Sequence, residues 1–215
     1  MSPVICYEVE LILFDVDSTL IKEEVIDLLA EKSGHGPEVS QITTRAMRGE
    51  IDFLQALEMR IALLEGLPES VFDEVLSQIS FSDGFSELFE YLRANHFLIG
   101  AVSGGFHNVL DKFFADLNLD FLRANTLEVK GSKISGKLLS QPIDRAAKGR
   151  ALKEFAASHE IKLEKTVAVG DGANDLEMIE LAGLGVSYMG KEILKSRAGL
   201  HLDRPGLDAL IQYLE

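Results

Sequence analysis

The chain has 215 residues, 47% hydrophobic and 26% charged, which suits a globular protein with one sizeable core and a smaller inserted unit. Its formal net charge of −14 leaves no basic footprint for nucleic acid, and no stretch approaches the roughly 20 apolar residues that span a bilayer. The single cysteine, Cys6, excludes an intramolecular disulfide framework and suits a reducing compartment. With no basic segment followed by a long apolar run at the N-terminus, a cytoplasmic location is expected. An acidic surface repels anions at long range, so any anion site here has to be made locally, by a metal, helix N-termini or a few placed cations.

The apolar run 11–14 leads into "DVDST", which sets two carboxylates, Asp15 and Asp17, two positions apart and follows them with Ser18 and Thr19. A run without polar alternation predicts a strand buried on both faces at the centre of a parallel sheet. Ligands of open α/β sheets bind beyond the carboxyl ends of the strands, where these acids fall. Two carboxylates at the mouth of a buried strand lose solvation and repel each other, so they call for a counter-ion: a divalent cation, which prefers hard oxygen ligands, or a lysine. Taken alone, the pair also suits a loop that caps the following helix.

From Lys22 to Ile79 the pattern is helical throughout. "KEEVIDLLAEK" places Val25, Ile26, Leu28 and Leu29 on one face, and "GPEVSQITTRAMRG" carries a start signal at Pro37 and a stop at Gly49. "DFLQALEMRIALLEG" and "PESVFDEVLSQI" extend the series with Leu57, Ile61, Phe72 and Val75 among their apolar positions. Four helices with no strand between them predict an all-helical cap over residues 22–80, standing above the strand ends of a core built from 1–21 and 81–215.

Beyond Ser82 helix and strand alternate. "SDGFSELFEYLRANH" predicts a helix and "FLIGAVS" a second buried strand ending at Ser103, after which Gly104 and Gly105 open the helical "FHNVLDKFFADL". The alternating "LRANTLEVKGSKISGKL", centred on the turn "KGSK", predicts a β-hairpin. "DRAAKGRALKEFAASHE" is helical, "TVAVGD" a third buried strand, "NDLEMIELAG" a helix, "LGVSYMG" a further strand and "GLDALIQYLE" a closing helix. The expected fold class is α/β: a doubly wound parallel sheet with an inserted helical cap and a β-hairpin.

Three further constellations fall at predicted strand ends or helix starts. "SGG" offers the Ser103 hydroxyl and two glycines where backbone N–H groups can approach an anion, although a tight turn uses the same residues. "GDGAND" sets Asp171 and Asp175 among Gly170 and Gly172 directly after a buried strand, where acids have few purely structural uses. Lys148, in "RAAKGRAL", is by itself the kind of residue usually found solvated. The histidines form no metal-ligand spacing, and His107 alone falls beside a motif. Together Asp15, Asp17, Ser103, Lys148, Asp171 and Asp175 supply a carboxylate nucleophile, an acid/base, a hydroxyl, a cation and metal ligands.

On "DVDST", "SGG", Lys148 and "GDGAND", with "AMRGEIDF" and "RIALLEGLP" in the helical region, the chain resembles the haloacid dehalogenase superfamily along nearly its whole length. Within it the likeness is to the branch that hydrolyses O-phosphoserine in serine biosynthesis. Val16 stands where phenylalanine is more usual, with its side chain expected to point away from the site. The resemblance implies a Mg²⁺-dependent phosphomonoesterase working through an aspartyl-phosphate, with Asp15 as nucleophile and Asp17 as general acid and base. It implies Mg²⁺ held by the side chains of Asp15 and Asp171 and the main-chain carbonyl of Asp17. It also places Ser103, Gly104 and Lys148 on the other phosphate oxygens, with Asn174 nearby and Asp175 orienting Lys148 or the metal's waters. In the cap, Glu24 would pair with the substrate ammonium and Arg60, through its planar fork, with the carboxylate, while Met47 and Phe53 close an apolar wall. The implied partner is the small molecule O-phosphoserine, with no nucleic acid and no membrane, and the chain is expected as a monomer or homodimer.

Two other readings fit parts of the pattern. The same core can dephosphorylate another small phosphomonoester such as phosphohomoserine, or pass the phosphoryl group to a second alcohol. A phospho-aspartate receiver module also combines an aspartate, an acidic metal pocket, a hydroxyl and a lysine on a doubly wound sheet. Asp17 and the helical region count against the receiver.

Overall fold

The computed structural model describes residues 8–214, so Cys6 lies outside the described residues, as does the side chain of Met47. Strand β1 (Leu11–Asp15) passes through a wide turn, Val16–Leu20, into four helices: α1 (Val25–Ser33), α2 (Gly36–Met47), α3 (Phe53–Ala62) and α4 (Val71–Leu76). Then follow α5 (Phe85–Ala94), β2 (Leu98–Phe106), α6 (His107–Phe113), β3 (Phe121–Asn125), β4 (Leu127–Lys130) and β5 (Lys133–Leu138). The chain closes with α7 (Arg145–Ser158), β6 (Thr166–Gly170), α8 (Leu176–Leu181), β7 (Leu184–Tyr188), α9 (Glu192–Lys195), β8 (Leu200–Leu202) and a 3-10 segment, Leu207–Tyr213.

Six strands form one parallel sheet in the order β3-β2-β1-β6-β7-β8. The chain winds outward from β1 through β2 to β3, then returns to the other side of β1 and winds outward again from β6. The order therefore reverses between β1 and β6, and a crevice opens beyond their carboxyl ends. β1 is buried on both faces, and its alternation divides it between two cores. Ile12 and Phe14 face the side that carries Leu88, Phe89 and the helical insert, with the Phe14 and Phe89 rings 6.0 Å apart. Leu11 and Leu13 face Leu152 and Phe155 of α7 and Ile179 of α8. Phe155 lies so close to β2 that a Cβ at Gly100 would stand 2.6 Å from its ring, which accounts for a glycine in the middle of a buried strand.

The α/β class, the parallel sheet, the helical insert and the hairpin agree with the sequence reading. Where the insert leaves and returns, Ile21 and Phe81 pair antiparallel, with Lys22 N–H donating to the Ser80 carbonyl and Ser82 N–H to the Leu20 carbonyl, each at 3.0 Å. The hairpin β4–β5 stands apart from the main sheet and bonds to the loop after α3, Gly66 N–H to the Ile134 carbonyl and Ile134 N–H to the Leu67 carbonyl, both at 2.9 Å.

Three local expectations are corrected. Residues 122–125, read as part of the hairpin, belong instead to edge strand β3 of the main sheet; its half-buried, mixed pattern imitates a hairpin arm. β2 does not stop at Ser103 but continues to Phe106, which pairs with Asn125 beyond a bulge. The closing segment is a 3-10 helix, and the short edge strand β8 has no counterpart in the sequence reading. Among the described residues no helix is long and apolar enough to cross a membrane.

Candidate active site

Asp15 is the last residue of β1 and only 2% exposed. The turn after it includes Ser18 at φ 57°, a left-handed conformation that a serine adopts only when its surroundings require it. That turn brings Asp17 back beside β2. Its Oδ2 accepts from the Ser103 hydroxyl at 2.6 Å and its Oδ1 from the main-chain N–H of Val25, the first residue of α1, at 2.8 Å. Ser103 Oγ in turn accepts the Gly105 N–H at 2.7 Å, so its proton is directed at Asp17. A Cβ on Gly105 would sit 2.9 Å from Asp17 Oδ2 and 3.0 Å from Ser103 Oγ, and only glycine leaves room for this contact. At Gly104 nothing lies within 4 Å of a Cβ position, which leaves that peptide open toward the crevice.

Asp144 starts α7 by accepting the Ala147 N–H at 2.7 Å, and the first turn aims Lys148 at the sheet. The side chain is wholly buried, with its ammonium 2.5 Å from Asp15 Oδ1 and 2.6 Å from Asp175 Oδ1. Burial pushes the Lys148 ammonium toward neutrality, but the carboxylates of Asp15 and Asp175 outweigh it and its pKa is raised. Asp175 Oδ2 accepts the N–H groups of Asp171 at 3.1 Å and Gly172 at 2.9 Å. Asp175 thus has both oxygens engaged, while Asp15 Oδ2 and the Asp171 carboxylate accept no hydrogen bond from the described residues.

Acidic oxygens of Asp15, Asp171 and Asp175 lie within 4.8 Å of one another. Burial first, and then Asp175, hold the Asp15 carboxyl well above the usual range. The same two causes push Asp171 up to about 6, against the pull of Lys191 and Lys148. Glu24 is pushed up to about 7 by burial and by Asp17, while Ser18 Oγ donates to its Oε1 at 2.7 Å. This excess of buried negative charge over one lysine, presented by hard oxygen donors, fits a divalent cation.

Arg60, on α3, is partly buried; burial lowers its pKa, while the fields of Asp27, Glu24 and Asp17 hold the charge. Its Nε donates to the Ala56 carbonyl at 3.3 Å. Phe53 opens α3 at 37% exposure. Asn174 lies two residues after Gly172, and its Oδ1 would stand 2.4 Å from a Cβ at that glycine. Met47 ends α2, and its side chain is outside the described residues.

Asn125 was not singled out from the sequence. The Asn125 side chain is fully buried, donates to the Gly104 carbonyl at 2.7 Å and accepts from the Ile143 N–H at 2.8 Å, pinning the bulge of β2 to the segment entering α7. Its position in an alternating stretch read as a hairpin hid it, and the only available signal was a polar residue closing a strand. His107 is engaged structurally, with Nδ1 2.7 Å from Asp111 and Nε2 accepting the Ala124 N–H at 2.9 Å.

The haloacid dehalogenase-like hydrolase family model matches residues 12–180. The phosphoserine phosphatase of Streptococcus thermophilus is 45% identical over 205 residues, 95% of each chain. A solved phospho-aspartyl intermediate analogue of phosphoserine phosphatase superposes with a TM-score of 0.90 at 37% identity, covering 97% of this chain and 100% of that one. A substrate-bound phosphoserine phosphatase complex gives a TM-score of 0.90 at 37% identity, covering 96% of this chain and 99% of that one. With a buried lysine joining Asp15 at the end of β1 to Asp175 at the start of α8, and these likenesses over almost its full length, the chain belongs to the haloacid dehalogenase-like hydrolases, among the phosphoserine phosphatases.

Proposed function

We propose that this chain hydrolyses O-phosphoserine to serine and phosphate through an aspartyl-phosphate on Asp15. The observation that carries the chemistry is the 2.5 Å contact between Lys148 and Asp15 Oδ1, which holds the carboxylate at the strand end and leaves Oδ2 for attack. Oδ2 bonds to phosphorus as the bond from phosphorus to the serine oxygen breaks, and Asp17 gives that oxygen its proton. Asp17, now ionised, takes a proton from water; the water oxygen attacks phosphorus, the bond to Asp15 breaks, and phosphate leaves.

Both Asp17 oxygens accept hydrogen bonds, one of them from an N–H that can only donate. A proton on Asp17 therefore belongs on Oδ2, at the position that Ser103 holds. On this reading substrate entry draws the Ser103 hydroxyl to a phosphate oxygen and frees Oδ2 for the leaving group. Gly104 and Lys148 take the other phosphate oxygens, Asn174 stands beside them, and Asp175 positions Lys148. Asp15, Asp171 and the main-chain carbonyl of Asp17 would hold Mg²⁺, which supplies positive charge against the phosphate oxygens when bound.

We take residues 22–80 as a cap that selects the substrate. Glu24 reads the ammonium, Arg60 the carboxylate, and Met47 with Phe53 the space between; the shared field of Glu24 and Arg60 supports that pairing. The single cysteine supports a cytoplasmic site of action. The test is phosphate release with Mg²⁺ from a panel of phosphorylated amino acids and sugars, together with Asp15→Asn. O-Phosphoserine is expected to lead the panel and the variant to be inert. Preference for another phosphomonoester, or undiminished turnover by Asp15→Asn, overturns the reading.

A further inference from the structure

Two segments join the helical insert to the sheet, and their fastening is asymmetric. The returning segment is fixed to the core: the Phe81 ring stacks on Phe85 at 3.8 Å and 11°, and lies 4.6 Å from Phe113. Ser80, one residue earlier, is thereby a fixed post. The outgoing segment is tied to that post by Glu23, whose Oε2 accepts the Ser80 N–H at 2.9 Å and whose Oε1 accepts the Ser80 hydroxyl at 2.8 Å. A carboxylate that accepts two donors from one residue is both charge-assisted and directional. It also continues the short ladder of Lys22 N–H on the Ser80 carbonyl and Ser82 N–H on the Leu20 carbonyl, at the point where backbone pairing stops.

From Glu23 the connection runs directly to the catalytic turn. The Glu23 carbonyl accepts the Ser18 N–H at 3.4 Å, and Ser18 Oγ donates to Glu24 Oε1 at 2.7 Å. Val25 N–H completes the set on Asp17 Oδ1 at 2.8 Å. Residues 23 to 25 therefore bond back to residues 17 and 18 through three contacts. Beside the burial of Val25, the Glu23 carboxylate on Ser80 gives that short stretch a lateral tie.

We infer that Glu23 is a positioning residue, which with Ser80 clasps the base of the insert so that Glu24 and Asp17 stay in register with each other. It touches neither the reacting atoms nor the proposed ammonium site, and it acts through Ser18 and Glu24. This inference rests on the substrate reading proposed above for its kinetic arm alone. Its consequence is specific: loosening the clasp should disturb the recognition of the ammonium by Glu24 more than the phosphoryl chemistry at Asp15.

The experiment compares Glu23→Ala, Glu23→Gln, Ser80→Ala and the Glu23→Ala/Ser80→Ala double variant on O-phosphoserine and on an aryl phosphate with no ammonium. Lys22→Ala serves as the control; it removes an exposed ion pair to Asp83, 2.7 Å long, at the same crossing. Expected is a rise in KM for O-phosphoserine of roughly fivefold to twentyfold in Glu23→Ala, with aryl phosphate turnover within about twofold. Glu23→Gln should recover part of the loss, because its amide oxygen still accepts the Ser80 N–H. The double variant should be no worse than Glu23→Ala, since both remove one interaction. Equal losses on both substrates, additive losses in the double variant, or the same loss in Lys22→Ala overturn the proposal.

Amide hydrogen exchange in the unaltered protein tests it without any variant. The Ser80 and Val25 amides should open together, and a Ser80 amide exchanging as freely as an unstructured one refutes the clasp. A wild-type chain that ignores O-phosphoserine would sink the substrate reading instead, and the exchange result would still decide on the clasp.

Discussion

Asp17 Oδ1 accepts the main-chain N–H of Val25 at 2.8 Å, so the carboxylate proposed to move protons also satisfies the first N–H of helix α1. Chemistry and insert share one side chain. A helix start leaves N–H groups without partners, and a buried acid two residues past the strand supplies an acceptor for one of them.

This double duty separates two substitutions. Asp17→Asn keeps a carbonyl oxygen for Val25 and should melt near the wild-type temperature, while kcat falls by about 10²- to 10⁴-fold. Asp17→Ala loses the acceptor as well and should be less stable by a further ~1 kcal/mol. Thermal melts of both variants check it, and equal melting temperatures would show that the bond to Val25 contributes nothing to the fold.

Lys148→Met should both silence the enzyme and weaken the fold. It leaves Asp15 and Asp175 buried without their shared cation, and breaking a buried pair from one side costs about 3 to 5 kcal/mol. Denaturant titration measures the loss. A variant as stable as wild type would mean that the shared contact of Lys148 with the two acids contributes nothing to the fold.

Arg60→Ala tests the carboxylate reading. The expected loss in kcat/KM for O-phosphoserine is on the order of 2 to 4 kcal/mol, roughly 30- to 1,000-fold, whereas a slow aryl phosphate should change little. Arg60→Lys should recover the loss in part, because an ammonium keeps the charge without the fork. Equal losses on both substrates would assign Arg60 to the fold of the insert.

Chelation should abolish turnover and Mg²⁺ restore it, whereas Ca²⁺ should inhibit. Ca²⁺ takes more ligands at longer distance and can draw both Asp15 oxygens onto itself. Full activity in metal-free buffer would remove the metal from the reading.

The raised carboxyls predict a pH signature in the metal-free protein. Glu24 titrates near about 7 against an ordinary 4.5, and Asp171 near about 6 against 3.8. Between the ordinary and the raised values the folded state holds protons that the unfolded chain has released. The contribution of these two groups to stability therefore falls as pH rises from about 4 to 7. Melting temperatures in chelator should show that fall, and Mg²⁺ should flatten the part due to Asp171. A chelated protein that gains stability across the window would contradict the burial of these acids.

The buried strands β1, β2 and β6 were legible because a strand covered on both faces has few polar positions, so 11–14, 98–102 and 167–169 stand out as short apolar runs followed by acids, hydroxyl or glycine. The helices of the insert were legible for the complementary reason, a 3.6-residue period closed by Pro and Gly. Edge strands β3 and β8 were not. One face of an edge is wet, its pattern is mixed, and 122–125 reads as well for a hairpin arm as for a sheet edge.

The residue types of the site, and the two-residue step from Asp15 to Asp17, are properties of the sequence alone, because neighbouring positions are held by the backbone itself. Which partners they meet is not. Lys148 lies 133 positions from Asp15, and only the placing of α7 across the strand ends brings its ammonium to 2.5 Å. The same holds for Asn125 on the Gly104 carbonyl and for Glu23 on Ser80, 57 positions away. Such contacts depend on strand order, on the direction of a helix's first turn and on the ring cluster that anchors Phe81. Packing sets all three, and a polar residue in a half-exposed stretch carries no local mark of the bond it will make.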